Sequence, residues 1–227
     1  MSERHERLVW DLPLRLTHWL IALGVAGCFA THYAGIEWFP WHRRFGYAVL
    51  VLAAFRIVWG FAGTRHARFA AFLRGPRAIL AYLRGAGGDA VGHNPLGALS
   101  VVALLAVLVA QGATGLFAND EIMNAGPFYG WIDPALSNRI TGLHRLNSEL
   151  LLVLVGLHLA AVAWYVGLRR RPLLRAMVTG RKPATEVPET EAIPGSRLPL
   201  ALVIVAVLAA ALALAVAKAP EASIALY

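Results

Sequence analysis

The sequence predicts an all-α integral membrane protein, a four-helix bundle followed by a fifth, C-terminal transmembrane helix. Three observations carry this. The 227 residues are 58% hydrophobic, with a mean hydropathy of +0.59, too apolar for a soluble domain of this size. The apolar residues gather into five runs of about twenty residues, the length that crosses a bilayer core. The net charge of +8 sits as arginine clusters in short segments between those runs, as the positive-inside rule describes. That distribution argues against a solvated basic face and so against nucleic acid as a partner; the bilayer is the partner it implies.

The runs come in a definite order. Residues 1–13 are a short charged lead, with Trp10 and Pro13 at the entry to the first helix. A cleavable signal peptide is not expected, because the apolar run that follows is long and lacks a small-residue cleavage site. Span 1 covers about 14–34 and carries His18, Cys28 and His32. The next loop holds Trp38, Phe39 and Trp41, rings that belong at headgroup level. Span 2 covers about 42–62. Residues 63–94 are basic, with Arg65, Arg68, Arg74, Arg77 and Arg84. Span 3 covers about 95–117, and Asn94–Pro95 reads as an N-cap with a first-turn proline. Residues 118–142 form a longer loop with no basic cluster. Span 4 covers about 143–168. After it come RRRPLLR and a Pro- and Glu-containing linker, 183–197. Residues 1–182 thus form one membrane domain, and 198–227 add the fifth span and a short tail. The basic loops follow spans 2 and 4, so both are expected in the cytoplasm. The N-terminus is then cytoplasmic and the C-terminus periplasmic. A single cysteine, Cys28, excludes a disulfide framework and a four-cysteine iron–sulfur site within the chain. The absence of C-x-x-C-H excludes covalent c-type haem.

Histidines give the chemistry. His144 and His158 are fourteen residues apart. On an α-helix that is about 1,400°, roughly 40° short of four turns, and about 21 Å of rise. Both imidazoles share one stripe at two depths, and hydrocarbon is a poor place for an imidazole without a partner. Two stacked ligands fit, and haem, commonly held by axial histidine, is the ligand such residues suggest. Topology gives matching depths to His18 with His158 and to His42 with His144. Bis-histidine ligation leaves no open iron position, which suits electron transfer. His32 is also fourteen residues from His18, so spacing alone does not choose between His32 and His42. The competing reading of one membrane histidine is a helix–helix hydrogen bond. A proton relay wants acids inside the spans, where Glu149 stands alone. His93 reads as a surface or capping residue, and His5 and His66 as solvated. Arg56 lies fourteen residues after His42; it either meets an anionic haem propionate or snorkels to the headgroups. Arg15, Arg43 and Arg145, beside the candidate ligands, are further propionate candidates.

VWDLPLRLTHWLIA in span 1, WHRRFGYAVLVLAAFRIVWG in span 2, HNPLGALSVVALL entering span 3 and LHRLNSELLLVLVGLH in span 4 together resemble a known group. It is that of the bacterial dihaem b-type cytochromes, cytochrome b561 and the nickel–iron hydrogenase b-type subunit. The resemblance covers about residues 8–182. It implies axial ligands from spans 1, 2 and 4, which by motif are His18, His42, His144 and His158, and so favours His42 over His32. It further implies two haems b, residence in the bacterial inner membrane, and electron transfer in a respiratory chain. The electrons would pass between membrane quinone and a periplasmic partner, such as a c-type cytochrome or an oxidoreductase subunit. A cytoplasmic-side quinone would lie near His93, Asn94 and Arg15. Three rival readings stand beside this one. The first is a superoxide-oxidising quinone reductase using Arg43, Arg44 and Arg139. The others are a hydrogenase or molybdoenzyme membrane anchor and a non-redox transporter.

Overall fold

The computed structural model describes residues 6–86 and 91–220. His5 and the tail 221–227, both assigned above to aqueous surroundings, lie outside these residues. The elements in chain order are β1 (Glu6–Leu8), α1 (Leu12–Ala34), α2 (Phe39–Ala62), α3 (Phe69–Phe72) and α4 (Pro76–Leu83). They continue with α5 (Pro95–Gly115), α6 (Pro134–Gly167), α7 (Leu173–Thr179), β2 (Arg181–Pro183) and α8 (Leu198–Ala217). Helices α1, α2, α5, α6 and α8 are long and apolar enough to cross a membrane. The fold is the all-α membrane bundle the sequence predicts.

Local chemistry sets the helix starts. Asp11 caps α1, its carboxylate accepting from the Leu14 amide at 2.8 Å. Asn94 caps α5, accepting from the Gly97 amide at 2.7 Å, with Pro95 in the first turn. α6 corrects the expectation of a loop through residue 142, since it begins at Pro134. Asp133 caps it through the Leu136 amide at 3.0 Å. The added turns bury Ser137 and Thr141, polar residues that interrupt the apolar pattern and so hide the helix from a hydropathy reading.

The chain divides into two compact units, each built from segments of several helices. One comprises Met1–His18, Arg56–Leu104 and Leu154–Leu202. Its organising feature is Asp11, fully buried. Asp11 accepts from the Trp59 indole at 3.1 Å and the Thr64 hydroxyl at 2.5 Å as well as from the Leu14 amide. A buried carboxylate is tolerated because donors surround it. β1 pairs antiparallel with β2, Arg7 opposite Lys182. Gly180, at φ +79°, ends α7. Its carbonyl accepts from the Val9 and Trp10 amides, and a Cβ there would stand 2.5 Å from the Trp10 carbonyl oxygen. Only glycine meets both demands. The segment read as a linker is packed: Val187 and Ile193 are buried, the Ile193 amide donates to the Leu8 carbonyl, and Arg65 pairs with Glu191 at 2.5 Å. His66, expected in solvent, is buried and donates to the Glu191 carbonyl at 2.7 Å.

The other unit comprises Trp19–Phe55, Leu105–Val153 and Val203–Tyr227. Here α1 meets α2 through small residues: a Cβ on Gly24 would stand 2.6 Å from Val49, and one on Gly27 2.9 Å from Phe45. Asn119 ties the segment after α5 to α6, donating to Ser137 at 2.6 Å and Asn138 at 2.8 Å. Asp120 closes the following turn, accepting from the amides of Ile122, Met123 and Asn124.

Candidate functional site

In the first unit, α1 presents His18 and α6 presents His158. Their ring centroids are 6.3 Å apart and their planes inclined by 55°. That separation is at the long end of the range for ring pairs. Each centroid is within reach of a shared metal midway, given a metal–nitrogen bond of about 2 Å. Arg56 on α2 is buried, only 6% exposed. Its two terminal amines have no hydrogen-bond acceptor, and its guanidinium carbon lies 5.3 and 5.9 Å from the rings of Phe69 and Phe72. The buried Asp11 carboxylate acts on this guanidinium through space but offsets only part of its desolvation, so its unbonded terminal amines still call for an anion. A haem propionate is such an anion. The donor set therefore fits a haem held by His18 and His158, and Arg56, in the same unit, is a cation suited to its propionate.

Arg15 is otherwise engaged. It donates to the Val178 carbonyl on α7, leaving a buried Nε without an acceptor. His93, expected at the surface, has its Nδ1 buried and its ring 4.8 Å from Trp10 and 4.6 Å from Phe72. Burial, then the cations Arg56 and Lys182, push its pKa down to about 3, so it is neutral. Asn94 spends its amide nitrogen on the Tyr165 hydroxyl at 3.1 Å. Tyr165 also meets the Tyr82 hydroxyl at 2.7 Å.

In the second unit, His32, His42, His144, Arg43, Arg145 and Gly46 line a cavity of about 360 Å³. His42 Nδ1 is 2.9 Å from the Cys28 carbonyl. A carbonyl only accepts, so Nδ1 carries the proton and Nε2 keeps its lone pair. Metal-binding imidazoles are oriented by this kind of hydrogen bond. His144 follows the same pattern, with Nδ1 3.1 Å from the Gln111 carbonyl and 3.1 Å from the Thr114 hydroxyl. Its Nε2 accepts from the Gln111 side chain at 3.0 Å, and Asn147 holds that amide from its other end at 2.6 Å. Ligation through Nε2 requires the Gln111 amide to turn aside. His32 is exposed, with its ring centroid 6.1 Å from that of His42. Gly46 faces open space, whereas a Cβ on Gly115 would stand 3.0 Å from the His144 ring. A flat ligand has room at the first glycine and a fixed imidazole at the second. This donor set also fits a haem.

The structure therefore brings His18 and His158 together, places Arg56 in the same unit, and gathers His42, His144, Arg43 and Arg145 around one cavity. It leaves His32 beside the second group. Sequence reading missed Asp11, Gln111, Thr114 and Asn147. Gln111 had a signal, as a lone amide in an apolar run; Asp11 had one too, as an acid just before a helix-opening Leu–Pro. Among the described residues no three metal-ligating side chains converge; axial haem ligation needs two at each iron.

Comparison with known proteins agrees with this chemistry. The model of the prokaryotic cytochrome b561 family matches residues 9–180. Probable Ni/Fe-hydrogenase B-type cytochrome subunits of Azotobacter chroococcum mcd 1 and Azotobacter vinelandii are each 26% identical over 208 residues. The alignments cover 76% of this chain and 86% of theirs. No solved structure matches the chain. With five apolar spans and a match across residues 9–180, the chain belongs to the prokaryotic cytochrome b561 family, membrane proteins that carry electrons on haem b.

Proposed function

We propose that the chain binds two haems b and passes electrons across the bacterial inner membrane, between membrane quinone and a periplasmic redox protein such as a c-type cytochrome. His18 and His158 hold one iron; His42 and His144 hold the other. When bound, haem supplies a one-electron couple whose closed coordination disfavours oxygen chemistry. The observation that carries the reading is the His18–His158 pair at 6.3 Å; the same unit also holds a buried arginine, Arg56, whose terminal amines lack an acceptor.

The chain's own residues then have distinct tasks. The Cys28 and Gln111 carbonyls fix the tautomers and orientations of His42 and His144. Arg56 neutralises a propionate, while Arg43 and Arg145 reach the cavity that His42 and His144 line. Arg15, one helical turn before His18 on α1, keeps a buried N–H without an acceptor. The arginine clusters after α2 and α6 support a cytoplasmic N-terminus and a periplasmic C-terminus. Quinone reacts at the cytoplasmic face, near His93 and Asn94.

The test is a pyridine haemochrome spectrum with a haem-to-protein ratio. The wild-type chain should carry two haems b, and His158→Ala should lose one while keeping most of the other. A wild-type ratio of one, or equal loss of both in the variant, would overturn the pairing. A second reading rests on the relatives' names: the chain anchors a hydrogenase. Hydrogen-driven haem reduction in membranes, together with a co-purifying catalytic subunit, would favour it. Superoxide-driven quinone reduction by the purified chain would instead make it an oxidoreductase using Arg43, Arg44 and Arg139.

A further inference from the structure

A second cavity, of about 570 Å³, lies in the first unit among Thr64, Arg65, Arg68, Thr190, Ile193 and Arg197. Its three arginines come from two segments far apart in sequence: Arg65 and Arg68 follow α2, and Arg197 immediately precedes α8. Each is held in place by backbone. Arg65 donates to the Thr190 carbonyl at 2.8 Å, Arg68 Nε to the Gly63 carbonyl at 2.9 Å, and Arg197 to the Ala62 carbonyl at 3.3 Å. Arg65 also pairs with Glu191. Arg68 and Arg197 form no ion pair among the described residues, so the lining carries a surplus of positive charge. Carbonyls position these guanidiniums without neutralising them, and further N–H groups on each remain available. A guanidinium fork with free donors matches the oxygens of a phosphate. The first amides of α8 add partial positive charge at the same edge.

The neighbourhood indicates what carries the phosphate. Val58 and Phe61 on α2, and Leu198, Leu200 and Leu202 on α8, are exposed. All of them belong to helices apolar enough to span a membrane. A cationic cavity at the ends of two helices that carry exposed apolar side chains has the polarity of a phospholipid, head and tail. Basic pockets at the ends of transmembrane helices hold anionic headgroups in this way. We propose that the cavity between Arg65, Arg68 and Arg197 binds a phosphate group, supplied by an anionic phospholipid of the leaflet at the ends of α2 and α8. The fifth helix is thereby fastened to α2 by lipid as well as by the Arg197–Ala62 bond.

The test uses the full-length, haem-loaded chain and an Arg68→Gln/Arg197→Gln variant, purified in mild detergent. An unchanged Soret band confirms that the variant is folded. Native mass spectrometry is run after addition of phosphatidylglycerol, phosphatidylcholine or inorganic phosphate. The wild type should retain phosphatidylglycerol at least about tenfold better than the variant, a loss of one charge-assisted contact or more. Phosphatidylcholine should not distinguish them. Arg68→Lys should fall between, keeping charge without the fork. Equal phosphatidylglycerol retention by wild type and double variant would overturn the site. Arginine-dependent retention of inorganic phosphate, with none of phosphatidylglycerol, would overturn the lipid as its source.

Discussion

Replacing Arg56 by methionine should move the haem-loaded and haem-free proteins in opposite directions. Methionine approximates the arginine stem in volume, packs beside Phe69 and Phe72, and brings no charge. Without haem, the wild type carries a guanidinium that is 6% exposed and whose terminal amines have no acceptor. A buried charge without a bonded acceptor costs several kcal/mol, which the Asp11 carboxylate offsets only in part, so removing it should stabilise the haem-free chain. Each kcal/mol raises the melting midpoint of a chain this size by about 2–4 °C. With haem bound, the same change deletes the propionate's partner. Hydrogen bonds to charged groups contribute about 1.5–3 kcal/mol, which corresponds to roughly 10–150-fold weaker retention of one haem. The assay is a pair of thermal melts in detergent, with and without haem, alongside haem content after dilution. Arg56→Lys should retain part of the haem affinity. A variant that keeps both haems at wild-type affinity, with an unchanged haem-free melt, would refute the propionate role and leave Arg56 as a headgroup-seeking residue.

Other outcomes follow from the same geometry. His42→Ala should reduce haem content from two to one, whereas His32→Ala should leave two; the reverse pattern in haemochrome ratios would exchange their roles. Asp11→Ala should destabilise the folded chain by about 3–5 kcal/mol, because it strands the Trp59 and Thr64 donors. Asp11→Asn should cost less, and chemical denaturation followed at the Soret band separates the two. His93 contributes a pH dependence. Its folded pKa lies at about 3 against an ordinary 6.5, so its neutral form is favoured by folding. The stability this represents is complete above pH 6.5 and is lost as pH falls from there towards 3. His93→Gln should flatten acid unfolding across that window, and equal slopes for the two proteins would refute it.

The five spans were legible because apolar length is a one-dimensional signal that survives without neighbours. His18 and His158 were legible for a related reason: helical periodicity turns sequence spacing into depth. The start of α6 was not, since Ser137 and Thr141 are buried by pairing with Asn119, a contact no local pattern reveals. His66 and His93 were misread because their burial depends on Trp10, Phe72 and Glu191, which lie far away in sequence. The packed segment before α8 was hidden by its composition. Proline and glutamate read as a linker, yet Val187 and Ile193 anchor it. At the second site, spacing could not rank His32 against His42. The Cys28 carbonyl that meets the His42 ring is visible only in three dimensions.

The strand pair β1–β2 joins the start of the described chain to residues made very late, as in the bond from Arg7 to Val187 across 180 positions. During synthesis, the Val9 and Trp10 amides must wait for their Gly180 acceptor until the end of α7 has left the ribosome. A polypeptide arrested after α6 would thus own every candidate iron ligand and still present an unpaired strand edge to quality-control proteases. Completion of this small ribbon marks the moment at which the nascent molecule becomes durable.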